Sequence, residues 1–490
     1  MFTEHSIDGK KSIATKVIRN SVFVLIARGV QILTSFYILV AVARYLSVDQ
    51  YGDYVFIINF VSSIMALTYF GIQQVMIREI AKDRGNASRY LGSAIILRVA
   101  LSVIAALVLI INMQFFNFSS LLKIAVLIAI ISEFFLTFGM LMKAVFQAFE
   151  RMAYEALVAI VYSIILIIGI ILSIKFNMGF LWLLISVAIA NAIQCMIAIY
   201  LLSKRFVYPS FHINRNILWE FFKYSSVIGI GIFFYQNLFR LNILMLKWLS
   251  TSESVAFFQV SHGLIMQLEV IPAALVASIF PMLSKLLHSE HLKAVALYEK
   301  LFKYIFILSF VPAIYLFIFS QEVIEVIFKG KYEMSVPALS IMAWAIIPLS
   351  MDMFLNSVLI AMNKQKYSVI YGGLTIAINF LAAFFLIPSY GFISAAYIAL
   401  FSYSILFLCS VYFVVKNELP LVLDKIIGKT AFSVILSGAS IFILKQYSFI
   451  LASSVGLIIY FLFLTWTRIF SLDELLIPFR RFSENQRKGI

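Results

Sequence analysis

Fourteen apolar runs of membrane-crossing length occupy most of this chain, and they leave few folds open to it. They fall at roughly 18–46, 54–77, 90–113, 121–148, 153–175, 179–203, 217–247, 255–281, 299–320, 334–362, 366–388, 391–415, 426–446 and 449–470. Hydrocarbon offers no hydrogen-bond partners, so each run must satisfy its backbone internally, as a helix. Hydrophobic residues make up 63% of the sequence and charged residues 12%, too little polar surface for a water-soluble protein of 490 residues. The class is an all-α polytopic membrane protein with about fourteen transmembrane helices. Cys195 and Cys409 both sit in apolar runs, without disulfide-framework or metal-site spacing. The first run follows Lys10, Lys11, Lys16 and Arg19, yet it is too long for a leader and lacks a small-residue cleavage site, so it is expected to remain as a helix.

The net charge of +15 reads as a topology signal rather than a nucleic-acid signal, because the basic residues cluster in short loops. With the N-terminus inside, 28 Lys and Arg fall on inside segments and 7 on outside segments, and three intramembrane arginines complete the total of 38. That bias places both termini in the cytoplasm, in a multi-pass inner-membrane protein.

The two halves resemble each other. Arg44-Tyr45-Leu46-Ser47 matches Lys247-Trp248-Leu249-Ser250 at an offset of 203, which also carries Lys82 onto Lys285. Arg151 and Tyr154 match Lys364 and Tyr367 at 213, and Gly179-Phe180 match Gly391-Phe392 at 212. Six helices per copy is an even number, so the repeats are parallel, and a two-lobed transporter with substrate between the lobes is expected. The expected division is an N-lobe at 1–203, a cytoplasmic linker at 204–217, a C-lobe at 218–416, two added helices at 417–470 and a cytoplasmic tail at 471–490.

Six charges interrupt the apolar runs: Arg28, Arg98, Arg240, Glu133, Glu269 and Asp352. A charge in hydrocarbon is costly and is kept where it faces a wet cavity or a partner. Arginine suits phosphate, because its planar fork makes paired, charge-assisted hydrogen bonds. Helix 1 places Ser21, Arg28, Gln31 and Ser35 on one face; helix 7 gathers Gln236, Asn237 and Arg240. Handing an anionic headgroup between Arg28 and Arg240 is one reading; neutralisation by acids of neighbouring helices is the other. Arg98 is expected to snorkel to the inner headgroups. Helix 8 aligns Gln259, His262 and Glu269, with Asn59 as the repeat counterpart of His262, and Pro272 should loosen the helix just past Glu269. Arg28, Gln31, Asn59, Gln236, Asn237, Arg240 and His262 are the candidate substrate contacts. Glu269, Asp352, Glu133 and Arg98 are candidates for coupling or charge pairing, with Asn356 beside Asp352.

Enzyme signals are weak. Gly428-Lys429-Thr430 lacks the earlier glycine of a phosphate loop, where Leu423 stands instead, and His288-Ser289-Glu290-His291 lacks the spacer of a zinc-protease helix. The longest outer loop, about 321–333, has no room for a catalytic domain. No enzymatic activity, metal or cofactor is expected.

Three stretches carry a family resemblance. Arg44-Tyr45-Leu46-Ser47-Val48-Asp49-Gln50-Tyr51-Gly52-Asp53-Tyr54 resembles the segment after helix 1 of the polysaccharide repeat-unit flippases, the O-antigen or Wzx type. Gly71 through Arg78-Glu79-Ile80-Ala81-Lys82-Asp83 resembles their helix 2 ending, and Phe149-Glu150-Arg151 is similar to their cytoplasmic turn. That family belongs to the multidrug, oligosaccharidyl-lipid and polysaccharide exporter superfamily. The resemblance implies a V-shaped pair of lobes around a cationic cavity and transfer of an undecaprenyl-diphosphate-linked oligosaccharide from the cytoplasmic to the outer leaflet, for surface polysaccharide biosynthesis. It implies Arg28 as a pyrophosphate contact and helices 13 and 14 as a groove for the lipid tail. Proton or sodium coupling is left open by it. Expected partners are that polyprenyl-diphosphate-linked oligosaccharide, membrane lipid and other polysaccharide-assembly proteins, with no nucleic acid. The rival readings are a cation-coupled multidrug exporter, which calls for carboxylates in the cavity, a membrane-embedded sugar polymerase or transferase, which calls for large outer loops, and a channel.

Overall fold

The structure, a computed structural model, describes residues 4–115, 118–211 and 215–470. The tail at 471–490 and residues 212–214 of the linker lie outside the described residues. In chain order the helices are α1 (Glu4–Tyr45), α2 (Val48–Met65), α3 (Ile72–Lys82), α4 (Ala87–Phe115), α5 (Ser120–Ala148), α6 (Met152–Lys175), α7 (Phe180–Arg205), α8 (Arg215–Leu249) and α9 (Ser252–Leu268). They continue as α10 (Val270–Ser289), α11 (His291–Ile318), α12 (Ser320–Phe328), α13 (Val336–Ala343), α14 (Ile346–Ala361), α15 (Lys366–Lys416), α16 (Leu423–Leu444) and α17 (Phe449–Trp466).

Among the described residues, 12 helical stretches are long and apolar enough to cross a membrane, and the bent pair Glu333–Ala343 and Ile346–Ala361 makes 13. The 51 residues of α15 would run about 77 Å, more than twice the hydrocarbon core. Gly391, at φ 58 and ψ −140, breaks it into two helices, which brings the spans to the fourteen expected.

The breaks recur along the chain. Ser47 caps α2 with a capping box, its hydroxyl accepting from the Gln50 amide at 3.2 Å and its own amide donating to Gln50 Oε1 at 3.3 Å. About 204 residues on, Thr251 Oγ1 accepts from the Ser254 amide at 3.1 Å at the start of α9. Gly179 before α7 and Gly391 within α15 both take positive φ, 83° and 58°, where a side chain would be strained. One span expected to be continuous is interrupted, and another loosens where Pro272 led us to expect it. A 3-10 turn at Ala66–Thr68 and a left-handed Gly71 divide α2 from α3. The α9–α10 break at Glu269 is one of hydrogen bonding, since its φ of −58 and ψ of −24 stay helical within the candidate span Ser252–Ala277. Pro272 explains it: its ring clashes with the carbonyl four residues back, that of Leu268, and it supplies no N–H to that carbonyl.

The chain packs as two compact units. The first comprises the described residues up to Gln267 with Glu325–Ser335 and Gly372–Ile398. Its core joins α3, α4, α5 and α7 through Ile72, Met76, Leu91, Leu141, Phe146 and Leu202. The linker is tied down here, since Ser210 N donates to Ser88 O at 3.0 Å. One corner of this unit is densely bonded. Asp53 accepts from Lys247 Nζ at 2.6 Å and Ser252 Oγ at 2.7 Å. Tyr332 Oη reaches the Ala43 carbonyl at 2.9 Å, and Lys331 Nζ reaches the carbonyls of Ala43, at 3.2 Å, and Leu46, so the orphan C-terminal groups of α1 are satisfied. Gly52 is required there: a Cβ would stand 1.8 Å from the Ser252 carbonyl oxygen.

The second unit comprises Leu268–Ile324, Val336–Tyr371 and the described residues from Ala399 onward. In it α16 and α17 lie against α11: Ile314 and Phe319 pack on Ile441 and Ala452, and Tyr460 Oη donates to Ile307 O at 2.8 Å. The outward faces of α16 and α17 stay apolar, with Ile435, Phe442, Ile450 and Leu462 all exposed, a surface suited to lipid rather than water.

Candidate functional site: charged seams inside the helices of the first unit

Ala27 on α1 packs against Ala156 and Ala159 on α6, and these small side chains bring the two helices close. Arg28, the next residue, is exposed and acts electrostatically on Glu155 of α6. Glu155 Oε1 accepts from Gln147 Nε2 at 2.8 Å and interacts with the ammonium of Lys143. Lys143 Nζ donates to Gln194 Oε1 at 3.2 Å; Gln194 Nε2 donates to Asn191 Oδ1 at 3.3 Å; and Asn191 Nδ2 donates to Ser132 Oγ at 3.0 Å. A polar seam therefore runs from α1 across α6 and α5 to α7. The side chain of Ser21 lies outside the described ones, and Gln31 is exposed one turn beyond Arg28. Ser35 Oγ donates to Gln267 Oε1 at 3.0 Å.

A second seam begins beside the first, because Glu133 follows Ser132 on α5. Ser62 Oγ hydrogen-bonds to Glu133. The backbone carbonyl of Ser62 accepts from Arg240 Nη1 at 2.9 Å, and Gln236 Oε1 accepts from the same nitrogen at 3.3 Å. Asn237 bonds to Ser63 and donates to Phe233 O at 3.0 Å. Gln236, Asn237, Arg240 and Glu133 are thus brought together around one turn of α2. Among the described residues, neither Arg28 nor Arg240 closes an ion pair. Arg240 is held by neutral oxygens, with Glu133 one hydroxyl away.

Other candidates lie apart from these seams. Asn59 turns back on its own helix, donating to Val55 O at 2.9 Å. His262 is buried and stacks on Phe258 at 5.4 Å, with Phe239 at 6.4 Å. Arg98 does not snorkel. It is 0% exposed, its guanidinium lies 5.6 Å from the Tyr69 ring centre, and its three nitrogens have no hydrogen-bond partner among the described residues. Fully covered by its neighbours and turned onto the Tyr69 ring, its side chain does not reach the surface.

In the second unit, Glu269 stands at the α9–α10 break and interacts electrostatically with Asp352 of α14. Asp352 is buried and accepts from Ser410 Oγ at 2.6 Å, and Ser410 bonds to Tyr371 Oη at 2.8 Å. Tyr371 continues to Ser368 at 3.2 Å, and Ser368 donates to Asn356 at 2.7 Å. The expected Asp352–Asn356 spot is therefore joined by a relay of three hydroxyls.

Sequence reading missed Lys143, Gln147, Glu155, Asn191 and Gln194. By charge bias Lys143 counts among the inside basic residues, yet α5 runs five residues beyond it and it is half-buried on Gln194. The usable signal was a cation inside the 121–148 run with polar residues at Gln147, Asn191 and Gln194, the last two on one face of α7.

With this geometry in view, comparison with known proteins becomes specific. The solved structure of the lipid II flippase MurJ in an inward closed conformation is similar over 92% of this chain and 99% of its own, with a TM-score of 0.73 at 16% identity. An inward-facing multidrug resistance MATE transporter matches 79% of this chain and 93% of its own at a TM-score of 0.64 and 14% identity. A transporter of the MOP superfamily from Pyrococcus furiosus, noted for the reverse polarity of its binding pocket, covers 82% of this chain and 95% of its own at 0.61 and 14%. An uncharacterized membrane protein of Methanocaldococcus jannaschii is 24% identical over 241 residues; the match spans 47% of this chain and about half, 47%, of that relative. The structural likenesses establish a MurJ- and MATE-like transporter fold. The family described as polysaccharide biosynthesis protein matches residues 17–287, more than half of the sequence and the whole of both charged seams, and the chain belongs to that family.

Proposed function

We propose that this protein flips a polyprenyl-diphosphate-linked oligosaccharide, of the undecaprenyl type, from the cytoplasmic to the outer leaflet by alternating access, for surface polysaccharide assembly. The observation that carries the reading is the charge balance inside the first unit. Among the described residues, Arg28 and Lys143 act on Glu155, Arg240 acts on Glu133, and the buried Arg98 lies beside the Tyr69 ring. A surplus of cations in hydrocarbon is costly unless an anion arrives to share it. A diphosphate supplies that anion, and arginine matches its oxygens in paired hydrogen bonds. Arg28, exposed and next to a close helix contact, makes first contact; Arg240, Gln236 and Asn237 form the second station, with Gln31, Asn59 and His262 toward the sugar. The protein belongs to the inner membrane with both termini inside, as the positive-inside bias supports. The repeat divides at 1–203 and 218–416.

One observation favours a second reading. Glu269 and Asp352 form an acidic pair in the second unit, the group a cation-coupled drug exporter would use. In the flippase reading this pair takes up the coupling proton or sodium. The test is reconstitution into vesicles with a fluorescent polyprenyl-diphosphate sugar. Leaflet exchange should be present with the native chain and lost in Arg28→Ala at equal expression. Undiminished exchange would move the diphosphate contact away from Arg28, and efflux of cationic dyes without lipid exchange would favour the exporter.

A further inference from the structure

The second unit carries a basic cavity that the seams do not use. It encloses about 550 Å³ and is bordered by α11, by the beginning of α16 and by the residues just after α17. Lys300 and Lys303 come from α11, Lys429 from α16 and Arg468 from the turn after α17, with Glu299 the one acid among the described lining residues. Its floor is apolar, with Val422 and Ile426 buried and Ile469 beside them. The walls are fixed. Lys429 Nζ donates to Thr467 O at 3.4 Å, and Tyr304 packs edge-on against Phe470 at 5.8 Å. Lys429 and Arg468 are exposed.

Its depth identifies the ligand. The spans at Ile426–Leu444 and Phe449–Trp466 end at this cavity, so it lies where a bilayer places its phosphates rather than its acyl chains. Four cations around an apolar floor match a phosphodiester on a greasy stem: the charges take the phosphate oxygens, and Ile426 and Ile469 take the glycerol and first methylenes. We propose that this cavity is a binding site for the headgroup of an anionic phospholipid, distinct from the transported lipid. The bound headgroup bridges α11 to the α16–α17 pair at the end of the membrane away from the Ile314–Ile441 packing.

The experiment uses the full chain in nanodiscs of phosphatidylcholine doped with phosphatidylglycerol, with retained lipid read by native mass spectrometry. The native chain should keep phosphatidylglycerol in preference to phosphatidylcholine. Lys429→Gln with Arg468→Gln, both at exposed positions, should weaken retention on the order of 30-fold, two surface charges' worth. Lys300→Gln with Lys303→Gln, on the opposite wall, should act alike and guards against a folding defect in the first pair. Lys175→Gln with Lys416→Gln, exposed elsewhere, should change nothing. Native-like retention by both cavity variants, equal retention of phosphatidylcholine by the native chain, displacement by millimolar inorganic phosphate, or selectivity for the polyprenyl diphosphate alone would each overturn the proposal.

Discussion

The interiors of the two units treat charge in opposite ways. Among the described residues of the first unit's seams, Arg28, Lys143 and Arg240 act on Glu133 and Glu155, Arg98 shares Tyr69 with Arg240, and the bridges are amides and hydroxyls: Gln147, Gln194, Asn191, Ser62 and Gln236. In the second, Asp352 faces Glu269, the hydroxyl relay of Ser410, Tyr371 and Ser368, and the Cys409 thiol. Neutral bridges hold a charged group in place without cancelling it. A bundle that only needed stability would have been better served by apolar side chains, since a buried ion pair rarely exceeds its desolvation cost. On the proposed function the difference is one of sign: the seams of the first unit await an anion, and the Glu269–Asp352 pair a proton or metal cation.

That comparison can be broken at several points. The largest effect is expected from removing both arginines: Arg28→Ala with Arg240→Met should slow leaflet exchange of a diphosphate-linked sugar about 100-fold, the worth of two charge-assisted hydrogen bonds. If this double variant transports normally, the positive interior has no role in capture. Next, Asp352→Asn should cut gradient-driven accumulation about 30-fold while the affinity for the diphosphate lipid stays within about twofold, since only a coupling group is lost. A matching loss of affinity would merge the two roles that the comparison separates. Lys143→Met should lower exchange by roughly 10-fold, because Glu155 then pairs fully with Arg28 and withdraws it from substrate; Lys143→Met with Glu155→Gln should recover most of that loss.

The smallest effect lies outside both interiors. Hydrogen bonds from the Asn86 side chain, and then from the amides of Asn86 and Gly85, hold the Asp83 carboxyl below its ordinary value. The sign follows: the turn between α3 and α4 is stabilised above the usual carboxylate range and loses that support as pH falls through it. Protection of the Gly85 and Asn86 amides, relative to an unstructured peptide at the same pH, should fall below about pH 4, with leaflet exchange at neutral pH untouched by Asp83→Asn.

Much of this was legible in the residues because hydrocarbon enforces simple rules. Run length set the spans, and Gly179 and Gly391, aligned with each other in the sequence, both take positive φ. Pro272 announced a break, and its position four residues past Leu268 accounts for where the helix parts. The gathering of Gln236, Asn237 and Arg240 was also readable, since one helical face brings them together. Partners across helices were not. Ser62 and Glu133 are 71 residues apart, and no spacing on either helix reveals their contact. Lys143 was missed because a cation near a helix end looks like a loop residue until Gln194 is seen to hold it. Arg98 was misjudged for a related reason: depth along a helix says nothing about how tightly α3, α4 and α5 close around it.

The most direct test of the central claim is equilibrium binding of two lipids that differ only in charge, a polyprenyl-diphosphate sugar and the same sugar on an uncharged polyprenyl linker. A cationic interior built for anions predicts at least about 100-fold tighter binding of the diphosphate, an advantage that falls as salt rises. Equal binding of the two, or tighter binding of a cationic amphiphile than of either, would contradict it.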